Sequence, residues 1–379
     1  MRIIFTIILT VVLAKTTKAQ LTAIPDPSFE QELIYLGYDT GTPNGTIPTA
    51  NISSVQVLNL GNAAVYDLTG IQDFAQLTHL LSNAGQLTAL DVSQNSNLTY
   101  LDVRLNQITN LDLSQNLLLD TLDCSYNPLA SLNVTQNIVL KYLYCGYSQL
   151  TSLDISQNTS LLKFNVSQSQ LSNLDVSQNI NLTFLALENN NISNLDVTQN
   201  LALKYFNCGF NQITEIDLSG AVNLTDMYCM VNQLTCLNVK NGNNINFNFY
   251  ESRNNPNLNC VEVDSSIYMD NNWTSNKDSW TNFNTNCNNL CSSVGISELE
   301  LNDMKLYPNP TSDKINIDLG EIKTNLIATI TNQLGQVIST HKYSSTDFIQ
   351  LEIEGSSGIY FLQIETAEGE FITKKVIKE

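Results

Sequence analysis

Leu90-Asp91-Val92-Ser93-Gln94-Asn95 is followed by Leu111-Asp112-Leu113-Ser114-Gln115-Asn116 and then by Leu132-Asn133-Val134-Thr135-Gln136-Asn137, each copy 21 residues after the last. The hexapeptide returns at Leu153, Leu174 and Leu195, and in altered form at Ile216 and Leu237, with no insertion breaking the step. A short unit repeated at a fixed period cannot bury its apolar side alone and does so by stacking on its neighbours. The spacing therefore predicts a solenoid, a rod and not a globule, over the middle of the chain.

Between two copies the chain reads Leu98-x-x-Leu101-x-Val103-x-x-Asn106-x-Ile108-x-x-Leu111-x-Leu113, and the next unit carries Leu119, Leu122, Cys124, Asn127 and Leu129 in the same places. This order of apolar residues around an Asn resembles the leucine-rich repeat. The resemblance implies a right-handed solenoid over residues 54–263. Chemically, Leu-x-Val or Leu-x-Cys makes a short strand that alternates in and out and pairs in parallel with its equivalents. The Asn that follows (Asn106, Asn127, Asn190, Asn211, Asn232) turns the chain and satisfies free backbone groups with its amide; Ser148 and Ser169 interrupt that column. With 21 residues per unit there is no room for a long helix opposite the strands. The hexapeptide then reads as extended chain or a second short strand, in a flat, mostly β solenoid with little helix. Its Asp column (Asp91, Asp112, Asp154, Asp175, Asp196, Asp217) fits turn capping, since Asn133 and Asn238 replace it without disturbing the period; Ca²⁺ binding is the rival role.

At 379 residues the chain is long enough for more than one folding unit. Its 17 basic against 36 acidic residues give a net charge of −19, which repels phosphate backbones and excludes nucleic acid as a partner. Residues 1–19 have the form of a secretory signal: Arg2, the apolar run from Ile3 to Ala14, and a small residue, Ala19, at the cleavage position. Nothing after it is long and apolar enough to be a membrane-spanning segment. Residues 20–53 lack the repeat and are expected to cap the first rung, with Phe29, Leu33, Ile34 and Leu36 at helical spacing. Leu258 to Val263 reads as a final rung, and 264–291 as a C-terminal cap in which Trp273, Trp280 and Phe283 cover it.

Eight cysteines divide into two sets. Cys124, Cys145, Cys208 and Cys229 take the inward apolar place; neighbours about 4.8 Å apart with parallel Cβ atoms are too far apart for a bridge, so they are expected to be free, buried thiols. Cys236, Cys260, Cys287 and Cys291 lie at the cap end, where an exported chain is expected to carry at least one disulfide. Cys260 with Cys287 is favoured, and Cys236 with Cys260 is the competitor.

Residues 292–300 read as a linker. After it come alternating stretches at 314–319, 326–331, 336–343, 348–353, 358–365 and 370–376, punctuated by Leu334-Gly335 and Glu368-Gly369, which predict a small antiparallel β-sandwich over 301–379. Tyr307-Pro308-Asn309-Pro310, Asn332 to Gln336, Gly358-Ile359-Tyr360-Phe361 and the ending Lys374-Lys375-Val376 resemble the C-terminal sorting domain of type IX secretion cargo. The resemblance implies export through the translocon and sorting machinery of that system, removal of the domain, and either release or attachment to surface lipopolysaccharide.

The only histidines are His79 and His341, which leaves no Ser-His-Asp or Cys-His pair within one unit and no zinc cluster. Evenly spaced identical units make a poor active site, because catalysis needs unlike groups converging in a cleft; no catalytic residue, metal or cofactor is assigned, and a secreted carboxylate-pair hydrolase is the least favoured reading. Outward places beside the inward leucines hold Tyr100, Tyr142, Phe184 and Tyr205 in one column, Tyr144 and Tyr228 in a second, and Tyr126, Tyr147 and Phe210 in a third. Aromatic rings on a solvent face suit recognition of a protein or glycan ligand. The expectation is thus a secreted or outer-surface binding module that uses this concave face, an adhesin. The rival is a passive surface-layer spacer whose rings only pack on one another.

Overall fold

The computed structural model describes residues 19–61, 63–287, 291, 305–332, 336–365 and 371–379. The expected signal up to residue 18, the linker at 292–300 and the turn pairs Leu334-Gly335 and Glu368-Gly369 lie outside the described residues. The chain divides into two compact units, Met1–Asn289 and Leu290–Glu379.

The first unit begins with the strand Leu21–Ala23, paired antiparallel with Thr46–Pro48 around the helix Pro27–Tyr35. Asp26 caps that helix by accepting from Ser28 N at 2.7 Å. Its second oxygen accepts from Tyr66 N at 2.6 Å and Asp67 N at 2.9 Å, so one carboxylate ties the cap to the first rungs. Phe29 and Leu33 are buried, and Phe29 stacks on Phe74. Leu36 departs from the expected apolar face: the helix stops at Tyr35, and Leu36, its C-cap, is exposed.

Ten parallel strands of three residues follow, from Val57–Asn59 to Phe249–Glu251. The middle residue of each points inward and is buried, as Leu101, Leu122, Leu143, Phe164, Leu185 and Phe206 show. Pairing is in register, Tyr100 against Thr121 and Thr121 against Tyr142. The turn asparagines lock this register. Asn127 accepts from Ile108 N at 2.9 Å and donates to the carbonyls of Val103 at 2.9 Å and Cys124 at 3.1 Å, so its amide joins three backbone groups on two rungs. Asn106, Asn190, Asn211, Asn232 and Asn255 repeat the arrangement. At Ser148 and Ser169 it is replaced by one contact between the two hydroxyls, 2.9 Å.

The hexapeptide builds the opposite side. Asp91, Asp112, Asp154, Asp175, Asp196 and Asp217 each accept from the backbone N–H two residues on, and Asn133 does the same toward Thr135. These backbone hydrogen bonds hold the carboxyls of Asp91, Asp112, Asp154 and Asp175 below the usual carboxylate range. The last residue of the hexapeptide forms a second, internal amide column, for which the sequence reading had assigned no role. Asn116 donates to the carbonyls of Val92 and Asn95, both at 3.0 Å, and Asn137, Asn158, Asn179 and Asn200 follow suit. Their side-chain oxygens are buried without a partner. The expected second strand forms only where this column ends. Ala221 stands 21 residues after Asn200, and from there backbone pairing takes over in a four-stranded sheet of Glu215–Asp217, Cys236–Asn238, Cys260–Glu262 and Asn282–Asn284.

That sheet also shifts the expected end of the rod: the rung at 258–263 is followed by Asn282–Asn284, drawn from the segment read as cap. Cys260 and Cys287 are bridged, with Cα atoms 5.7 Å apart, and Cys236 and Cys291 are also disulfide-bonded. Helix Ser266–Trp273 brings Trp273 against the core, and Phe283 is buried. Trp280, expected to cover the last rung, is instead half exposed in a turn, because the buried Tyr250 already fills the space against Trp273 and Phe283. Cys124, Cys145, Cys208 and Cys229 are free and buried, and burial pushes their thiols well up.

The second unit is a five-stranded antiparallel sheet of Lys305–Tyr307, Lys314–Asn332, Val337–Glu352, Gly358–Glu365 and Phe371–Lys378. The stretches expected as separate strands at 314–319 and 326–331 belong to one strand, with a register shift between Asp318 and Lys323; those at 336–343 and 348–353 likewise merge. The buried positions change parity across that shift, from Ile315, Ile317 and Leu319 to Leu326, Ala328 and Ile330, and this change makes one strand read in sequence as two. Ile315, Ile317, Leu351, Leu362 and Val376 form its separate core.

Two outcomes follow from the ladders. Asn127→Ala strands three backbone groups and is expected to lower unfolding free energy by about 3–5 kcal/mol in a urea titration. Gln115→Ala, exposed on the other side, is expected to cost less than about 0.5 kcal/mol. Thiol titration with a disulfide reagent is expected to find no reactive thiol in the native chain and the four buried ones, Cys124, Cys145, Cys208 and Cys229, after denaturation without reductant.

Candidate functional site

Each three-residue strand has its middle side chain inside, so the residues on either side of it face solvent. The first outward column places Tyr100, Tyr142, Phe184 and Tyr205 on the sheet's solvent face, all half-buried, and the second column places Tyr144 and Tyr228 there. The sheet brings the two columns together as one surface. His79 and Phe249, which the sequence reading passed over, extend it at either end: His79 stacks on Tyr100 at 5.6 Å and Phe249 on Tyr228 at 6.1 Å. Phe184 and Tyr205 stack at 4.4 Å with an interplanar angle of 9°.

Tyr126, Tyr147 and Phe210 are not on the strands. They stand just before the turn asparagine or its serine substitute, with φ of 56°, 54° and 56°, on the rim where the chain leaves the sheet. The turn that brings the Asn amide inside demands this left-handed backbone at every rung: Leu105, Gln168, Asn189, Val231 and Asn254 share it. For a non-glycine residue that conformation costs roughly 1–2 kcal/mol, least for Asn. Tyr126 and Tyr147 stack at 4.0 Å and 12°. Beside them a groove of about 560 Å³ runs from Gly85 past Leu105, Gln107 and Pro128 to Gln149.

Charge on the strand face is concentrated at Asp102 and Asp123, opposite each other on adjacent strands. Arg104 reaches both, at 3.6 Å and 3.4 Å. Burial pushes the Asp123 carboxyl up, against two hydrogen bonds from Ser125 that pull it down. Burial first, and then the neighbouring aspartates, push the Tyr100 hydroxyl up, and Tyr144 follows the same pattern. Arg104, Lys141, Lys163 and Lys204 are the only basic residues between 54 and 239, and all lie on or beside this face. The hexapeptide side carries the Asp column, with no Lys or Arg on that side before Lys240.

Among the described residues no group of three His, Cys, Asp or Glu side chains is placed to hold a metal ion. The face offers ring surfaces, hydroxyls, amides and one partly neutralised carboxylate pair, groups that hold a ligand by contact and hydrogen bonding. In the second unit the sorting-motif residues are structural neighbours. Asn309 donates to Lys375 O at 2.9 Å and accepts from Ile377 N at 2.8 Å, and the Tyr360 hydroxyl donates to Ser356 O. Tyr307 and Pro308 lead into that contact beside Pro310, Gly358 opens the strand that carries Tyr360, and Lys374 pairs with Leu362.

Residues 305–379 match the family described as the secretion system C-terminal sorting domain. No curated protein matches the chain. Among solved structures it is similar to the internalin InlF of Listeria monocytogenes, at 20% identity over 64% of this chain and 84% of that one, with a TM-score of 0.50. It is also similar to the leucine-rich-repeat ectodomain of the receptor kinase GASSHO1/SCHENGEN3 from Arabidopsis thaliana, at 19% identity over 62% of this chain and 31% of that one, TM-score 0.56. The functional domain of Listeria monocytogenes InlJ matches at 22% identity over 96% of this chain and all of that one, TM-score 0.43. At these identities the first two likenesses establish the fold alone. No helix among the described residues is long and apolar enough to cross a membrane.

Deleting residues 305–379 is expected to abolish delivery to the cell surface. Protease shaving of intact cells followed by immunoblotting checks this, with the deleted chain remaining protected inside.

Proposed function

We propose that this chain, a leucine-rich-repeat solenoid exported to the cell surface through a type IX sorting domain, is a surface-recognition protein that binds its partner on the strand face and performs no chemistry. The observation that carries this reading is a contrast between the two sides of one rod. The hexapeptide side repeats nearly verbatim from Leu90 to Leu195, whereas the outward strand positions differ from rung to rung, Tyr100, Thr121, Tyr142, Lys163, Phe184, Tyr205, Asp226. A rod that only spans distance has no use for a face with an individual residue at each step. A face that recognises something does, and rigid amphipathic rings suit it. Removal of the sorting domain after transport, leaving the solenoid and its caps, belongs to the same proposal.

A passive spacer remains the second reading, favoured by the ring stacks Phe184–Tyr205 and Tyr126–Tyr147, which stabilise the ladder without a ligand. Tyr142 and Tyr144 separate the two, since neither takes part in a ring stack. Screening the full chain on arrays of glycans and extracellular proteins, beside a Tyr142→Ser, Tyr144→Ser variant, is expected to show a bound partner lost in the variant with its melting temperature nearly unchanged. No partner at all, with a steep fall in melting temperature when the stacked pair is changed in Phe184→Ser, Tyr205→Ser, would support the spacer.

A further inference from the structure

The rim turn contains a cost that the fold does not require. Every rung needs a left-handed residue there, and Asn189 and Asn254 fill the place with the residue type that accepts it most readily. Three successive rungs instead carry Leu105, Tyr126 and Tyr147, large side chains that are also 48, 44 and 47% exposed. Neither backbone energy nor solubility favours an exposed apolar side chain on a strained backbone. Where both costs fall on the same adjacent positions, binding is the natural reason.

The groove beside these residues indicates what is bound. Its volume, about 560 Å³, lies within the range of small-ligand sites. Its lining of Leu, Tyr, Pro, Asn, Gln, Ser and Gly includes no acid or base, on a chain with a net charge of −19. Gln107 and Gln149 are exposed on it, and Gln107 donates to Gln86 at 3.1 Å, which leaves the remaining amide groups facing solvent. Tyr126 and Tyr147 cover one face of each other and leave the second face of each ring outside the stack. Apolar ring faces beside groups that both donate and accept match a pyranose, which presents C–H groups on its faces and hydroxyls around its edge. A charged ligand would find no counter-charge in this groove.

We propose that the groove along Leu105, Tyr126 and Tyr147 binds a neutral oligosaccharide, one sugar stacking on a free tyrosine face while Gln107 and Gln149 take its hydroxyls. The proposal rests on the recognition reading above and adds a sugar site at the rim of the strand face.

The test is calorimetric titration of the full chain with neutral hexasaccharides, cellohexaose, laminarihexaose, maltohexaose, xylohexaose and mannohexaose, and with hexagalacturonate as an acidic comparison. At least one neutral sugar is expected to bind and the acidic one is not. Tyr126→Asn with Tyr147→Asn is expected to weaken binding by about tenfold or more while the melting temperature holds or rises, because Asn relieves the left-handed strain. Gln107→Ala with Gln149→Ala leaves the ring stack intact and is expected to weaken the same sugar. Val231→Asn, at the same turn position outside the groove, is expected to leave binding unchanged. The proposal is overturned if no neutral sugar binds, if the glutamine variant binds as well as the unaltered chain, or if the tyrosine variant loses stability and keeps its sugar. If no neutral sugar binds while a partner is still lost in Tyr142→Ser, Tyr144→Ser, the glycan site is overturned and the recognition reading stands.

Discussion

The fold depends on where the backbone groups of one turn find their partners. A rung of 21 residues has few intra-rung hydrogen bonds, so its donors and acceptors must be met by the next rung or by side chains that reach inside. The turn asparagines do this on the strand side, each satisfying three backbone groups that would otherwise be buried unpaired. The hexapeptide asparagines do it on the other side with their donors alone, leaving an acceptor idle. The ladder tolerates that idle oxygen, which by itself would cost about 1–3 kcal/mol, because the amide donors hold two rungs together. Where the inner column stops at Ala221, backbone strand pairing replaces it, so the same requirement is met by a different group.

Much of this was legible in the sequence because a solenoid writes its geometry in one period. The step of 21, the inward leucines, the turn asparagines and the free thiols all follow from stacking identical units about 4.8 Å apart. What escaped has local causes. Tyr126, Tyr147 and Phe210 were counted as face residues by extending the strand alternation past Cys124, Cys145 and Cys208, but the left-handed turn there breaks the alternation and moves them to the rim. The inner amide column was visible as the unvarying last letter of the hexapeptide; its meaning needed the carbonyls it meets. Trp280 and Leu36 were placed inside on apolar character alone, and neighbours that had already filled the space, or a helix that had already ended, kept them out. Between Asp318 and Lys323 a register shift carries one strand through a stretch that reads as a break.

The two sides of the rod also differ in charge. All four bases between 54 and 239 lie on or beside the strand face, while the hexapeptide side holds a column of carboxylates whose first cation is Lys240, beyond the last of them. The turn hydrogen bonds hold the Asp91, Asp112, Asp154 and Asp175 carboxyls below the usual carboxylate range, which favours their charged form.

Because every rung is linked only to its neighbours, a pull along the axis passes through the rungs in series, and each junction bears the same load. Strength is then set by the least cross-linked junction and not by the average. The turn-side tie is thinnest at Ser148 and Ser169, where one hydroxyl contact stands in place of the two bonds that a turn asparagine sends across its junction. There the backbone ladder and the inner asparagine column carry the tension that elsewhere the turn amides share.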